Sequence, residues 1–289
     1  MRRLLAAQFP QWAELPIAAV ASSGTDNALY RLGDDKVVRL PRIDWAVDAV
    51  DREQRWLPKL APLLPVKIPA PLGRGAPGGG FPWPWSIYGW LEGENPKAGV
   101  DRAGDASADA RLPIELVHFI RALHRIDAAG GPPAGVRGTR GVPLAERDAP
   151  TRAAIQALRG KIDGDAVSAC WERALAAPAW NHAPVWIHAD LAPGNLLCVN
   201  GRLNAVLDFG LLGVGDPAVD LILAWNLLMP RTRVDFRNAV GLDDATWERG
   251  RGWALSIALI QLPYYEHTNR ALAANARYTI GQVLSDGSG

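Results

Sequence analysis

The amino-acid sequence predicts an α+β protein with two lobes, a small antiparallel sheet at the N-terminus and a larger, mainly helical C-terminal lobe. Two observations predict this class. Up to about residue 92, short β-prone runs and turns surround one segment with helical spacing. After residue 217, nearly everything has helical spacing. The 289 residues fit two lobes, because a domain holds roughly 100–200 residues, and we place them at 1–92 and 93–289.

The N-terminal lobe is predicted to follow the order β-β-β-α-β-β after a short opening helix within residues 1–13. Gly33-Asp34-Asp35 separates the second and third apolar runs and indicates a hairpin. The helical segment interleaves apolar residues with charged ones, as a surface helix does. The predicted strands cover 17–21, 28–32, 36–40, 68–72 and 85–91, and the predicted helix covers 45–60.

The C-terminal lobe is predicted to begin with a polar connector at 95–110. Asn200-Gly201 indicates a hairpin, because both turn residues tolerate positive φ. Pro217 follows Asp216, which suits the start of a helix with Asp as N-cap. The predicted helices cover 113–126, 153–161, 166–175, 217–229, 234–240, 244–262 and 264–284, and the predicted strands cover 185–187, 196–199 and 203–207.

Composition excludes several functional classes. Lys and Arg number 31 and Asp and Glu 30, a balance that argues against binding nucleic acid or an anionic membrane through a basic face. Two cysteines cannot form a disulfide framework or a multi-cysteine zinc site. The apolar runs are shorter than the roughly 20 residues that span a bilayer. We therefore expect a cytoplasmic protein with no nucleic-acid, membrane or obligate protein partner.

The segment from His188 to Gly210 carries the chemistry. Asp190 follows a short predicted strand, on a loop where a carboxylate can face a cleft. The hairpin that comes next brings Asn195 and Asp208 together, because Asn195 precedes its first strand and Asp208 follows its second. A carboxylate beside an amide oxygen suits Mg²⁺, which prefers oxygen ligands and completes its shell with phosphates and water. Asp190 is left to accept a hydroxyl proton.

This order of Asp, Asn and Asp-Phe-Gly is the catalytic-loop and metal-loop pattern of kinases. The chain resembles the aminoglycoside phosphotransferase family of the protein-kinase-like superfamily, most sharply over 185–223. The Gly-Asp-Pro-x-x-Asp-Leu signature of that family stands unchanged at 215–221, whereas Ala189 replaces the usual glycine of the catalytic loop. The resemblance implies a bilobal protein-kinase-like fold, Mg²⁺, and transfer of the γ-phosphate of ATP or GTP to a hydroxyl.

The resemblance also implies residues for the nucleotide. Arg39 stands where the family usually has a phosphate-binding lysine, and Glu53 is its expected ion-pair partner. The segment Arg-Leu-Pro-Arg at 39–42 is similar to the corresponding segment of macrolide kinases. The phosphate-covering loop falls at 22–27 and the hinge at 86–91, whose backbone would bind a purine. The nucleotide candidates are Arg39, Glu53, Ser22, Ser23, Tyr88 and Trp90, with Ile87 and Leu207 as packing surfaces.

The acceptor is predicted to be a small molecule. Asp216 lies eight positions after Asp208, whereas a protein kinase keeps a much longer peptide-binding segment there. The acceptor pocket is expected between this loop and the C-terminal helices. For the Tyr-Tyr-Glu-His cluster, an ordinary helix start after Pro263 is an equal alternative. The acceptor candidates are Asp216, Asp220, Trp225, Tyr264, Tyr265, Glu266 and His267.

Three functional hypotheses stay open at this point. The first is a kinase for an antibiotic-like natural product of the aminoglycoside or macrolide type. The second is a kinase for a metabolite alcohol such as choline, homoserine, a sugar or a fructosamine. The third is an inactive nucleotide-binding relative, against which the intact Asp190, Asn195 and Asp208 set argues. Aminoglycosides need several carboxylates around them and a macrolide needs a broad apolar wall, and the sequence permits either.

Overall fold

The computed structural model describes residues 1–21, 24–99, 106–135 and 140–286, with the side chains of 106–110 excepted. Single-turn 3-10 helices link several of the longer elements. The α-helices are α1 (Arg2–Gln8), α2 (Val47–Leu60), α3 (Ala106–Arg125), α4 (Asp148–Ala157), α5 (Gly164–Ala176), α6 (Leu223–Asn226), α7 (Pro230–Val240), α8 (Asp244–Tyr265) and α9 (Arg270–Ser285). The strands are β1 (Ile17–Ala19), β2 (Asn27–Leu32), β3 (Lys36–Pro41), β4 (Pro71–Gly75), β5 (Trp85–Gly89), β6 (Val185–Ile187), β7 (Leu196–Val199), β8 (Arg202–Val206) and β9 (Gly213–Gly215).

The N-terminal lobe is a five-stranded antiparallel sheet in the order β1-β2-β3-β5-β4. The turn at Gly33, where φ is +59°, closes the β2–β3 hairpin, and Ala28 pairs with Leu40. Because side chains alternate between the faces of a strand, one face packs on α1 and the other looks toward α2 and the cleft. The core on the α1 side consists of Leu4, Leu5, Leu32, Val38, Leu40, Trp85 and Ile87.

The C-terminal lobe is built around α8, which is buried on nearly every side. It contacts α9, α5, α4 and the 3-10 helix Pro217–Ile222. Tryptophan fills much of the molecule's interior, since five of the twelve are almost completely inaccessible, a large apolar area for each residue. They are Trp85, Trp171, Trp186, Trp225 and Trp253.

Two small antiparallel pairs carry the loops of the motif segment. β7 and β8 form the predicted hairpin, with positive φ at Asn200 and Gly201. β6 pairs with β9, which the sequence did not predict because Gly-Val-Gly has no strand pattern of its own. The short segment between Asp208 and Asp216 therefore contains one turn and strand β9, and Asp216 is the N-cap of the next helix.

Several predicted boundaries differ from the structure. The connector predicted at 95–110 is shorter, because α3 begins at Ala106, and the helix predicted at 217–229 is a 3-10 helix, Pro217–Ile222, followed by α6. The fourth strand lies at Pro71–Gly75 rather than 68–72, and Lys67 instead bridges to Ala205 in the other lobe.

Pro263 does not start a helix, because it lies in the last turn of α8, which continues to Tyr265. Proline there removes one backbone hydrogen bond, and the packing around α8 outweighs that loss. Among the described residues, no helix is long and apolar enough to cross a membrane.

Candidate active site

A cavity of about 1090 Å³ lies between the sheet and the C-terminal helices. Its sheet side includes Val20, Leu29 and Val37, and its helical side includes Ile257 and Tyr278. The loops that carry the predicted catalytic and metal-binding residues line the space between the two sides. The catalytic and metal candidates are brought together there: Asp190, Asn195 and Asp208.

Hydrogen bonds to Asp220 and His188 fix the loop that follows β6. Asp220, which is fully buried, accepts hydrogen bonds from the backbone N–H groups of His188 at 3.1 Å and Ala189 at 2.8 Å. The His188 ring accepts the Asp190 N–H through Nδ1 at 3.2 Å, so its Nε2 carries the proton and donates to the Leu207 carbonyl at 2.9 Å. His188 therefore ties the Asp190 loop to the end of β8 and is not presented to the cavity.

Two residues of this assembly adopt the left-handed backbone conformation. φ is +65° at Ala189 and +58° at Asp208. Such a conformation costs a residue with a Cβ roughly 1–2 kcal/mol, and it is common at functional sites. Ala189 stands where the family usually has glycine. Its positive φ explains that preference, because glycine adopts this conformation without a steric cost.

Asp190 has a side-chain donor at each carboxylate oxygen. The Asn195 amide donates through Nδ2 to Oδ2 at 3.1 Å and to the Asp190 carbonyl at 2.9 Å. The Arg140 guanidinium donates to Oδ1 and, at 3.0 Å, to the Ala189 carbonyl. Sequence reasoning missed Arg140, because it lies 50 residues upstream on a loop without any motif.

Asp208 belongs to a charged network that reaches into the sheet. Arg39 on β3 donates to Asp208 Oδ1 at 2.6 Å and to both oxygens of Glu53 on α2 at 2.6 Å. The Tyr88 hydroxyl donates to Glu53 Oε2. Burial alone would lower the pKa of the Arg39 guanidinium, but the Asp208 and Glu53 carboxylates raise it well above its usual value. Burial would raise the pKa of Asp208, but the Arg39 guanidinium and the Gly210 N–H hold it below its usual range.

The donor set fits a magnesium ion bound with phosphates. A backbone hydrogen bond of 2.7 Å from Leu207 N to Asn195 O fixes the two ends of the hairpin side by side. Asn195 uses its amide nitrogen toward Asp190, so its side-chain oxygen is the atom left for a cation beside the Asp208 carboxylate. Within the described residues no group of three His, Cys, Asp or Glu could bind a metal by itself, and Mg²⁺ characteristically takes few protein ligands.

Two backbone N–H groups of the predicted hinge at 86–91 are already bonded to neighbouring loops. Residues up to Gly89 belong to β5, and the N–H groups of Gly89 and Trp90 donate to the Ala70 and Asp35 carbonyls at 3.0 and 2.7 Å. Leu91 lines the cavity, and its N–H has no partner among the described residues, so it is the backbone donor available to a purine.

The other nucleotide candidates divide into three groups. Tyr88, Trp90 and Leu207 line the cavity, together with Arg39 and Glu53. Ile87 does not, because strand alternation turns it into the core on the α1 side, so its predicted role as a packing surface for the purine does not fit this geometry. Ser22 and Ser23 lie outside the described residues, and the neighbouring Thr25 and Asp26 line the cavity.

Three of the acceptor candidates are buried away from the cavity. Asp216 accepts the Ala218 N–H at 3.0 Å and forms an ion pair with Arg249 at 2.8 Å. Asp220 braces the catalytic loop through the His188 and Ala189 N–H groups. Trp225 is fully buried and donates through Nε1 to Asp286 at 3.0 Å. The 3-10 helix that begins at Pro217 turns this segment into the core, so none of the three faces an acceptor.

The remaining acceptor candidates lie at the C-terminal end of α8. Tyr264 and His267 are largely exposed to solvent, and Glu266 forms ion pairs with Lys161 at 2.7 Å and Arg277 at 2.9 Å. Of this group, Tyr265 lines the cavity, and its hydroxyl lies 3.3 Å from Thr25 Oγ1 in the other lobe. The C-terminal helices were expected to form this side, but the other residues that line the cavity from α8 and α9 were not among the candidates.

The fold and the Asp190, Asn195 and Asp208 arrangement define a bilobal phosphotransferase of the protein-kinase-like class. The family model APH, described as the phosphotransferase enzyme family, matches residues 18–253, and the chain belongs to this family. It is an enzyme, a phosphotransferase with an alcohol group as acceptor. The resemblance stated from the motifs and the predicted fold class are both confirmed.

Solved structures share the fold at low sequence identity. A GDP and kanamycin complex of APH(2")-IIIa is 18% identical with a TM-score of 0.75, and the match covers 99% of this chain and 98% of that one. The macrolide 2'-phosphotransferase MphH from Brachybacterium faecium is 23% identical with a TM-score of 0.59, covering 96% and 95%. An ADP-bound APH(2'')-Ib is 17% identical with a TM-score of 0.62, covering 93% and 95%. A search of the curated proteins finds no match.

Proposed function

We propose that the enzyme transfers the γ-phosphate of ATP or GTP to a hydroxyl of an antibiotic-like natural product of the aminoglycoside or macrolide type. The observation that carries the proposal is the convergence of Asp190, Asn195, Asp208 and Arg39 on one cavity of about 1090 Å³. Ligand pockets commonly measure roughly 300–1,000 Å³, so this one has room for a nucleotide and a second molecule. Neighbours in fold include complexes with GDP and kanamycin, and macrolide phosphotransferases.

In this proposal Asp190 orients the acceptor hydroxyl and takes its proton. The acceptor oxygen forms a bond to the γ-phosphorus while the bond from that phosphorus to the β–γ bridging oxygen breaks, which leaves a nucleoside diphosphate. Arg39 binds phosphate oxygens from a position fixed by Glu53, and Asn195 and Asp208 hold Mg²⁺. Bound Mg²⁺ would offset charge that develops on the phosphates. The rate gain comes mainly from positioning and electrostatics.

A kinase for a small metabolite alcohol would use the same catalytic groups. A cavity of about 1090 Å³ lies above the usual range of roughly 300–1,000 Å³ for one ligand pocket, which supports a larger acceptor. An inactive nucleotide-binding relative is disfavoured, because the proton acceptor and both predicted metal ligands are present together. The use of a nucleoside triphosphate as donor supports the predicted cytoplasmic location.

A pooled phosphorylation assay tests this function. The purified enzyme with Mg²⁺ and either ATP or GTP is incubated with aminoglycosides, macrolides and metabolite alcohols, and products are detected by the mass of an added phosphate. Asp190→Asn serves as the blank. Phosphorylation of an antibiotic by the wild type alone is the expected result. Phosphorylation of a metabolite alcohol alone would favour the second hypothesis, and no product with bound nucleotide would refute both.

A further inference from the structure

The helical side of the cavity is a chamber formed by α8 and α9, and it is not acidic. None of the described residues that line the cavity from α8 or α9 is a carboxylate. The described wall consists of four alanines, one isoleucine and one leucine, together with two amides and three hydroxyl-bearing side chains, two of which are tyrosines. Its larger members are Ile257, Gln261, Tyr265, Leu272, Asn275 and Tyr278.

The carboxylates of the cavity lie elsewhere. Among the described lining residues they are Asp26 in the sheet lobe, Glu53 on α2, and Asp190 and Asp208 on the catalytic and metal loops. Glu53 and Asp208 are paired with Arg39, and Asp190 is paired with Arg140. A further cation, Lys97, also lines the cavity.

This charge distribution selects against a polycation. An acceptor with several ammonium groups would lose hydration on entering the chamber, and it would find no carboxylates there to replace the lost water. It would also approach Arg140 beside the reacting hydroxyl. A largely apolar molecule would instead gain from burial against the α8 and α9 wall.

Most polar groups of the wall are already used within the protein. The Tyr278 hydroxyl donates to the Leu228 carbonyl at 3.1 Å, and Asn275 Nδ2 donates to the Asn226 carbonyl at 2.8 Å. The Tyr265 hydroxyl lies beside Thr25. These bonds hold α9 and α8 in place and leave their apolar parts facing the chamber.

Asn226, on α6 at the edge of the chamber, has a buried acceptor that no described residue uses. It lines the cavity and is 8% exposed, and its Nδ2 donates to the carbonyl of Leu191, the residue after Asp190, at 3.0 Å. Its side-chain oxygen is buried without a hydrogen-bond partner among the described residues. A buried acceptor without a donor is costly and rare in folded proteins. A ligand with an O–H or N–H donor near its reacting hydroxyl would satisfy it.

We propose that the α8–α9 chamber binds a bulky, largely apolar alcohol with at most one cationic group. Its reacting hydroxyl faces Asp190, and a second donor on the same molecule bonds to the side-chain oxygen of Asn226. This inference rests on the proposed function and narrows it to acceptors of the macrolide type. The chamber carries the apolar body, and the absence of carboxylates from its described lining excludes the aminoglycoside type.

Binding tests the chamber separately from turnover. Calorimetry on Asp190→Asn, saturated with a non-hydrolysable ATP or GTP analogue, compares a macrolide that has a single amine with kanamycin. We expect the macrolide to bind at least tenfold more tightly. Equal binding, or tighter binding of kanamycin, would overturn the inference. If the macrolide binds as expected but the wild type does not phosphorylate it, the proposed function fails and the chamber assignment stands.

Variants test the wall itself. Ile257→Glu and the nearly isosteric Gln261→Glu each place a carboxylate in the chamber, and Val234→Glu, on the exposed face of α7, is the matched control. Both wall variants should weaken macrolide binding tenfold or more and strengthen kanamycin binding, with unchanged affinity for the nucleotide analogue. The control should change neither. Wall variants that bind both probes as the parent does would contradict the assignment.

Asn226→Ala tests the second contact. The macrolide should bind roughly tenfold more weakly, and a macrolide whose neighbouring donor is methylated should bind the parent and the variant equally. Nucleotide affinity reports whether the variant is folded. An unchanged affinity of Asn226→Ala for the unmodified macrolide would remove Asn226 from the acceptor site.

Discussion

Asp190 combines two demands on one carboxylate. In the proposed mechanism it accepts a proton from a hydroxyl, and both of its oxygens are already engaged, Oδ2 by Asn195 and Oδ1 by Arg140. The two donors fix the plane of the carboxylate before an acceptor arrives. Arg140 also places a positive charge beside the point at which the phosphoryl group would transfer, and the catalytic loop itself supplies no Lys or Arg from 190 to 195.

We therefore expect Arg140→Ala to slow turnover. Loss of a charge-assisted hydrogen bond worth roughly 1.5–3 kcal/mol corresponds to about 10–100-fold in kcat. Arg140→Lys should restore part of the rate, because lysine keeps the positive charge but lacks the planar guanidinium that donates several hydrogen bonds at once. Steady-state kinetics measure both, with nucleotide affinity as the control for folding. An Arg140→Ala enzyme with wild-type kcat would show that the ion pair has no role in transfer.

The family resemblance implies the ion pair between Arg39 and Glu53, and the structure contains it with Glu53 buried. Glu53 is 1% exposed, so Arg39→Met would leave a buried carboxylate without its cation. We expect a loss of roughly 3–5 kcal/mol in the free energy of unfolding, measured in urea. Arg74→Met, which breaks the exposed pair with Asp51, is the control and should cost at most about 1 kcal/mol. Equal losses in the two variants would contradict the account.

At the scale of elements, Arg140 is positioned by a loop that docks on β9. The Asp216 N–H donates to the Gly141 carbonyl at 3.1 Å, and Ala134 N–H donates to the Val214 carbonyl at 2.9 Å. Gly141 has φ of +77°, and a Cβ on it would overlap the Ile187 side chain. Glycine is therefore required directly after Arg140, both by the positive φ and by the closeness of the Ile187 side chain.

Gly141→Ala tests this docking, and Gly130→Ala is its control. Gly130 has φ of +71°, but a Cβ at this position would meet no described atom within 4 Å, so its substitution carries the backbone cost alone, roughly 1–2 kcal/mol. Gly141→Ala adds overpacking, for a total of roughly 2–5 kcal/mol. Urea unfolding measures both, and Gly141→Ala should in addition lower kcat. A Gly141 variant as stable and active as the Gly130 variant would refute the docking.

The elements also show where sequence reasoning succeeds and stops. The hairpin at Asn200-Gly201 and the helix at 47–60 follow from local turn chemistry and spacing. The inward turn after Pro217 does not, because it depends on Asp216 meeting Arg249, a partner 33 residues away. Ile87 and Tyr88 lie on opposite faces of β5, and which of them lines the cavity depends on which face packs on α1. The spacing of residues along a strand does not determine that face.

At the scale of the whole molecule, the bilobal fold and the Asp190, Asn195 and Asp208 cluster could be predicted, because a loop, a hairpin and a second loop lie in one short stretch of chain. The individual residues of the proposed acceptor wall could not be predicted in this way. The wall is assembled from α8 and α9, whose lining residues have no motif, and the candidates chosen for their chemistry instead serve the core or the surface. The division at residue 92 stays a prediction; the described sheet ends at Gly89.

The most direct test of the central claim is the rate of phosphoryl transfer to an accepted alcohol by Asp190→Asn. Asp165→Asn, on the exposed first turn of α5, is the matched control. We expect kcat to fall roughly 10²–10⁴-fold in Asp190→Asn, with nucleotide affinity unchanged and with wild-type kinetics in the control. A wild-type kcat in Asp190→Asn would contradict the account, because Asp190 would then not be the group that accepts the proton.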